Sequence, residues 1–291
     1  MSVDVRERGT ATELAGLDAL ETGERGAVRT RLDRLWAATW PKLLAVGLAI
    51  AIWQMVVWSG WKPEYILPGP GTVAKQLFAD AGTAAFWSAV ATTLRRALVG
   101  FAAATVIGLL IGFAVARFKV LRAGVGSLIT GLQTMPSIAW FPLAIVLFGL
   151  NESAIFFVVV LGAAPSIANG VLSGVDFVPP MLVRAGRNMG AGGLSLYRTV
   201  IGPASLPAIV SGLKQGWAFS WRSLMAGELL VVIASRGSLG ANLQFDREFA
   251  DYPGLLATMV VILIIGIVAD AVFGAVNNTI RRRWGLLDGV E

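Results

Sequence analysis

The sequence predicts an all-α transmembrane protein with six spans and both termini in the cytoplasm, and three observations carry that prediction. The first is composition: of 291 residues 56% are hydrophobic and 14% charged, and the mean hydropathy is +0.71. Soluble domains run near 25% charged, so surface this apolar is accommodated only by lipid and by other helices. The second is a series of uninterrupted apolar runs, each close to the ~20 residues that cross about 30 Å of hydrocarbon as a helix. The third is the placement of Lys and Arg. Sixteen lie in the tail up to Lys42, in 117–122, in 176–203 and at the C-terminal end. Six lie in the opposite loops: Lys62, Lys75, Arg95, Arg96, Arg236 and Arg247. The positive-inside rule puts the richer set in the cytoplasm.

Taken in order, residues 1–42 read as a polar cytoplasmic tail, with spaced leucines from Leu14 to Leu35 that suit a short surface helix. Its first 35 residues hold no apolar core of a cleavable signal peptide. The first span runs from Leu43 to Ser59, between Trp40 and Trp58-Trp61 at the two interfaces. Residues 61–87 read as a loop, because Leu67-Pro68-Gly69-Pro70-Gly71 punctuates them. The second span is Ala97 to Ala116, where Gly108 and Gly112 allow close helix approach within or between subunits. The third, Ala123 to Leu150, is broken at Pro136 and Pro142. Asn151-Glu152 connects it tightly to the fourth, Ala154 to Val175, which carries Pro165. The fifth and sixth are Ala204 to Ile233 and Gly254 to Val276. Residues 43–276 thus form the membrane domain and 277–291 a cytoplasmic tail.

Several functions are excluded by what is missing. The chain has no cysteine and no histidine. Disulfides, thiolate or imidazole metal sites and His- or Cys-based nucleophiles are therefore ruled out. No G-x-x-x-x-G-K-[ST] loop occurs, so ATP hydrolysis by the P-loop route must reside in another polypeptide. The pI near 10.2 reflects basic residues beside apolar runs and not one basic stripe, which favours membrane topology over nucleic-acid binding. A secondary carrier would need several midplane carboxylates and two related halves; only Glu228 and Asp270 are present, with no convincing repeat. For an intramembrane enzyme only Ser-Lys or carboxylate chemistry is left, and Ser211 and Lys214 lie near the cytoplasmic edge of a span.

Between the fourth and fifth spans lies the basic segment 176–203, DFVPPMLVRAGRNMGAGGLSLYRTVIGP. Its Arg184-Ala185-Gly186, Gly190 and Val200-Ile201-Gly202-Pro203 fall at the spacing E-A-A-x3-G-x9-I-x-L-P. That pattern resembles the coupling loop of importer-type ABC permeases of the MetI-like type, with arginine in place of the glutamate and glycine in place of the second alanine and the leucine. Further strings resemble the branch that carries sulfonates, taurine and nitrate. They include Met135-Pro136-Ser137-Ile138-Ala139-Trp140-Phe141-Pro142-Leu143, Thr93-Leu94-Arg95-Arg96, Ser211-Gly212-Leu213-Lys214 and Ala226-Gly227-Glu228. The resemblance implies a six-span permease that works as a homodimer with two ABC ATPase subunits and an extracytoplasmic substrate-binding protein, in the bacterial cytoplasmic membrane. ATP and Mg would be bound by the ATPase, with no cofactor in this chain. It also implies that Arg184, Ala185, Gly186, Arg187, Met189, Gly190 and Pro203 form the ATPase-coupling loop. The expected cargo is a small anion, an aliphatic sulfonate ahead of nitrate, taurine or bicarbonate, with a neutral pyrimidine precursor as a further alternative.

Intramembrane charges are the first places to look for a pathway. Arg222 and Glu228 lie in the fifth apolar run and Asp270 in the sixth. Six residues apart, Arg222 and Glu228 point in directions about 240° apart on a helix, so each needs a partner elsewhere, with Arg95 or Arg96 expected for Glu228. A burden on any anion crossing the bilayer is the loss of its hydration, which Arg222 could offset. Pro136 and Ser137, at the break in the third span, would free backbone groups to line the path, with Trp140 and Trp221 as gating aromatics.

Overall fold

The computed structural model describes residues 31–233 and 237–283, and every regular element among them is a helix. The surface helix expected over 14–35 lies almost wholly outside the described residues, as do residues 284–291 of the C-terminal tail. The chain divides into two units, 1–63 and 64–291. The first contains α1 (Arg31–Trp58), whose stretch Thr39–Trp58 is apolar enough to span a bilayer.

In the second unit the segment expected as a loop contains a helix, α2 (Pro70–Ala81). Pro70 sits in its first turn, where a backbone N–H would have no helical partner in any case, so punctuation that rules out a span also starts a helix. Thr83 caps α3 (Ala84–Arg117) by accepting the Phe86 N–H at 3.3 Å. This 34-residue helix starts well before the expected Ala97, because Arg95 and Arg96, which end the uncharged run, are interior helical positions. The expected third span is α4 (Lys119–Thr134) and α5 (Phe141–Phe148), joined through Met135-Pro136 and a 3₁₀ turn (Ser137–Trp140), with a bend of 104° between the halves. Pro136 lacks the N–H that would continue α4.

α6 (Glu152–Asp176) is the central helix, packed along α3 on one side and along α9 (Gly202–Leu230) on the other. Lipid gives two helices no hydrophobic reason to associate, so close backbone approach and dispersion contacts must hold them. A Cβ on Gly108 would lie 2.7 Å from the Ala164 carbonyl oxygen, and one on Gly112 2.7 Å from the Val171 Cβ. The G-x-x-x-G pair therefore packs inside the chain, against α6. Across α6 and α9, Gly170 and Gly212 face each other so closely that a Cβ on either would meet the other's Cα within 2.7 Å.

α10 (Leu239–Glu248) and α11 (Tyr252–Arg283) complete the unit. Among the described residues four helices are long and apolar enough to cross a membrane, or five if the bent pair counts as one span. The expected fifth span, α9, is helical over 29 residues but falls short in apolarity, diluted by Lys214, Gln215, Arg222 and Glu228.

Candidate functional site

Segment 176–203 folds into α7 (Pro180–Asn188), α8 (Gly193–Leu196) and a π-helical turn (Tyr197–Ile201) that runs into α9. Proline opens α7 at Pro180, where an N–H is dispensable, whereas Pro203 closely follows the π-helical turn and lacks the N–H that would continue its ladder. α7 ends in a Schellman motif: Ala191 N–H donates to the Gly186 carbonyl at 2.9 Å and Gly190 N–H to that of Arg187 at 3.0 Å. Gly190 has φ +85°, a left-handed conformation that suits glycine. Gly186 is buried, and a Cβ there would come within 2.8 Å of Val200 Cγ2. The segment has its own small core of Val178, Leu196 and Ile201. Outward it presents Arg184, Ala185, Arg187, Met189 and Gly190, all exposed, flanked by exposed Met181 and Leu194. Neither arginine has a carboxylate partner among the described residues.

A second cluster ties four elements together at the other end of α9. Glu228 is fully buried and Arg96 is 1% exposed. Arg96 Nη1 donates to Glu228 Oε1 at 3.0 Å, and Thr93 Oγ1 donates to Glu228 Oε2 at 2.8 Å. The Gly240 N–H also donates to Oε2, at 3.1 Å, while the Leu239 N–H donates to Thr93 Oγ1 at 3.0 Å. Glu152, at the start of α6, lies 3.3 Å from Arg96 Nη2 and 3.2 Å from Arg95 Nη2. Two buried charges are tolerated here because nearly every donor and acceptor is matched. The first turn of α10 is thereby bolted to α3 and α9. Of the two arginines expected to meet Glu228, Arg96 does so; Arg95 points to the half-exposed Glu152.

The remaining pathway candidates gather near the bend. Trp140 is partly buried against the cluster that contains Phe141, Ile155 and Leu224. Trp221 is partly buried and stacks on Trp217 with centroids 6.2 Å apart. Ser137 and Ser223 flank Gly162: a Cβ there would lie 3.5 Å from Ser137 Cβ and 2.5 Å from Ser223 Oγ. Pro136 is exposed. Arg222 is exposed as well; its Nε donates to the Ala218 carbonyl at 3.1 Å and its guanidinium lies 4.7 Å above the Phe219 ring. No carboxylate meets it among the described residues. Ser211, Gln215, Ala218 and Arg222 are all exposed. At about 100° per residue they share an arc of roughly 60° and climb about 16 Å. A mostly polar exposed stripe up this helix, ending in an arginine, was not recognised from the sequence, although its i, i+4, i+7, i+11 spacing is readable there.

Residues 104–282 match the family described as the binding-protein-dependent transport system inner membrane component. The chain belongs to this family. Among the curated relatives of this inner membrane component, the taurine transport system permease protein TauC of Escherichia coli (strain K12) is 29% identical over 248 residues, covering 82% of this chain and 89% of that one. The putative aliphatic sulfonates transport permease protein SsuC of the same organism is 29% identical over 233 residues, covering 79% and 86%. An inward-facing structure of the MetNI methionine ABC transporter shares the fold, with a TM-score of 0.54 at 21% identity over 67% of this chain and 93% of that one. These relatives are transport permeases, not enzymes. In this inner membrane component Lys214, three residues from Ser211, has its Nζ 2.9 Å from Asp270 Oδ1 on α11.

Proposed function

We propose that this chain is the six-span permease subunit of an ATP-driven importer that moves a small anion, an aliphatic sulfonate, across the bacterial cytoplasmic membrane. Two copies would pair, with both termini and segment 176–203 in the cytoplasm. Each copy would present Met181, Arg184, Arg187 and Met189 to one of two ABC ATPase subunits, which hold ATP and Mg. Flexible methionines and unpaired arginines suit a docking face that must move with its partner. An extracytoplasmic binding protein would deliver the substrate to the opposite side.

The observation that carries the anionic cargo is Arg222. A cation exposed on a spanning helix with no carboxylate partner among the described residues is costly against lipid. It is accommodated where the α9 stripe faces a watery path, and there it lowers the barrier for an anion more than for a neutral solute. The names of the relatives, which specify taurine and aliphatic sulfonates, narrow the class; nitrate and bicarbonate would meet the same arginine.

The test is uptake into proteoliposomes that hold the chain with its co-purified ATPase and binding protein. ATP-dependent uptake of an alkanesulfonate should fall by about tenfold in Arg222→Gln and recover in part in Arg222→Lys, an expectation set by the loss of one charge-assisted contact. Uptake that persists without ATP would favour an ion-coupled carrier, and uptake indifferent to Arg222→Gln would remove the arginine from the path.

A further inference from the structure

At the end of the bundle that carries 117–122 and 176–203, an open groove of about 770 Å³ separates the end of α3 from the π-helical turn. Its wall is apolar, formed by Phe113, Phe118, Leu194 and Tyr197 among others, and Arg117 and Arg198 stand in it. Both arginines are exposed. Neither has a carboxylate partner among the described residues, although Arg122, in the first turn of α4, is ion-paired with Asp176. Arg117 lies 5.8 Å from the Phe118 ring centroid, which leaves its guanidinium edge free to bind an anion.

We infer that this groove is a binding site for one anionic phospholipid of the inner leaflet. An inorganic anion would satisfy the arginines and leave the apolar wall wet, whereas a neutral lipid would cover the wall and leave two cations unpaired. Only an amphiphile with a phosphate head and acyl chains meets both demands. The position fits, because basic pockets between spanning helices at the cytoplasmic surface recognise such head groups. The π-helical turn that forms one wall also joins α8 to α9, and such turns are common at functional sites. A bound lipid therefore braces the joint through which motion of segment 176–203 reaches α9. The site itself does not depend on which solute is carried or on which ATPase docks.

The experiment uses the full-length chain in nanodiscs of equal parts phosphatidylglycerol and phosphatidylcholine, with native mass spectrometry counting the lipids retained on release. Wild type should retain phosphatidylglycerol preferentially. Arg117→Gln and Arg198→Gln should each cut that preference about fivefold, and both together about 25-fold, while lysine at both positions preserves it. Leu194→Trp, at an exposed position that projects into the groove, should lower retention without any change of charge, and it decides the matter if the glutamine variants do not fold. Equal retention of the two lipids by wild type, or a preference that survives both the double glutamine variant and Leu194→Trp, overturns the assignment. A double glutamine variant that turns dimer into monomer with unchanged lipid counts would assign the groove to a second copy of the chain instead.

Discussion

Glu228 carries its charge where water does not reach, and it accepts hydrogen bonds from Arg96, Thr93 and the Gly240 backbone. Removing one member of such a pair costs far more than removing both, because the survivor is left charged and buried. Glu228→Leu is expected to destabilise the chain by ~3–5 kcal/mol, and the double variant Arg96→Met/Glu228→Leu to regain much of it. Thermal unfolding of the two variants in the same detergent checks this; a double variant no better than the single one would show that the charges are not coupled. Asp246, on α10 outside the spans, behaves differently. Burial, then the neighbouring Asp251 and more weakly Asp80, push its pKa up from 3.8 to about 6, against a hydrogen bond from Thr258 that pulls it down. The folded chain thus binds this proton more tightly than the unfolded one. The stability it contributes is full below the unfolded value of 3.8 and is lost as pH rises through about 6. Asp246→Asn should therefore flatten the fall in melting temperature between about pH 4 and pH 7, and an unchanged slope would assign the fall to other groups.

At the scale of single elements, proline and glycine were the most legible residues, but their meaning depended on position. Pro136 interrupts the helix as its place in an apolar run suggested, and the helices on either side are bent by 104°. Pro70 begins a helix instead, because a first-turn proline costs no hydrogen bond. The start of α3 was read too late: hydropathy marks where a helix enters lipid, whereas Arg95 and Arg96 stay helical with Glu152 and Glu228 near them. Gly190 was noted for its spacing, and the Schellman motif supplies the physical reason for a glycine there. Gly190→Ala should strain the left-handed residue by ~1–2 kcal/mol. Hydrogen exchange at the Gly190 and Ala191 amides should then speed up about tenfold. Gly192→Ala, at φ −135° with open space around it, should leave those rates alone. Equal effects of both substitutions would mean that the end of α7 does not rest on this motif.

For the whole molecule the six-span proposal predicts that α9 crosses the bilayer despite Lys214, Gln215, Arg222 and Glu228. The chain has no cysteine, so single-cysteine labelling has no background. Met189 and Phe249 are both 79% exposed, on either side of α9 in sequence. Met189→Cys and Phe249→Cys should react with a membrane-impermeant maleimide from opposite faces of sealed vesicles. Reaction from the same face would mean that α9 does not span. By itself the sequence determined the helical class, the apolar runs of spanning length, the break at Pro136 and the family pattern in 176–203. Each of these is written in local periodicity, charge placement or fixed spacing. Only the tertiary structure decided that Arg96 and not Arg95 meets Glu228, 132 positions away, that Gly108 and Gly112 pack inside the chain, and that Arg222 is left exposed while Lys214 finds Asp270. Those outcomes depend on which helix faces meet, and a side chain's direction relative to a distant helix leaves no trace in the order of residues along either one.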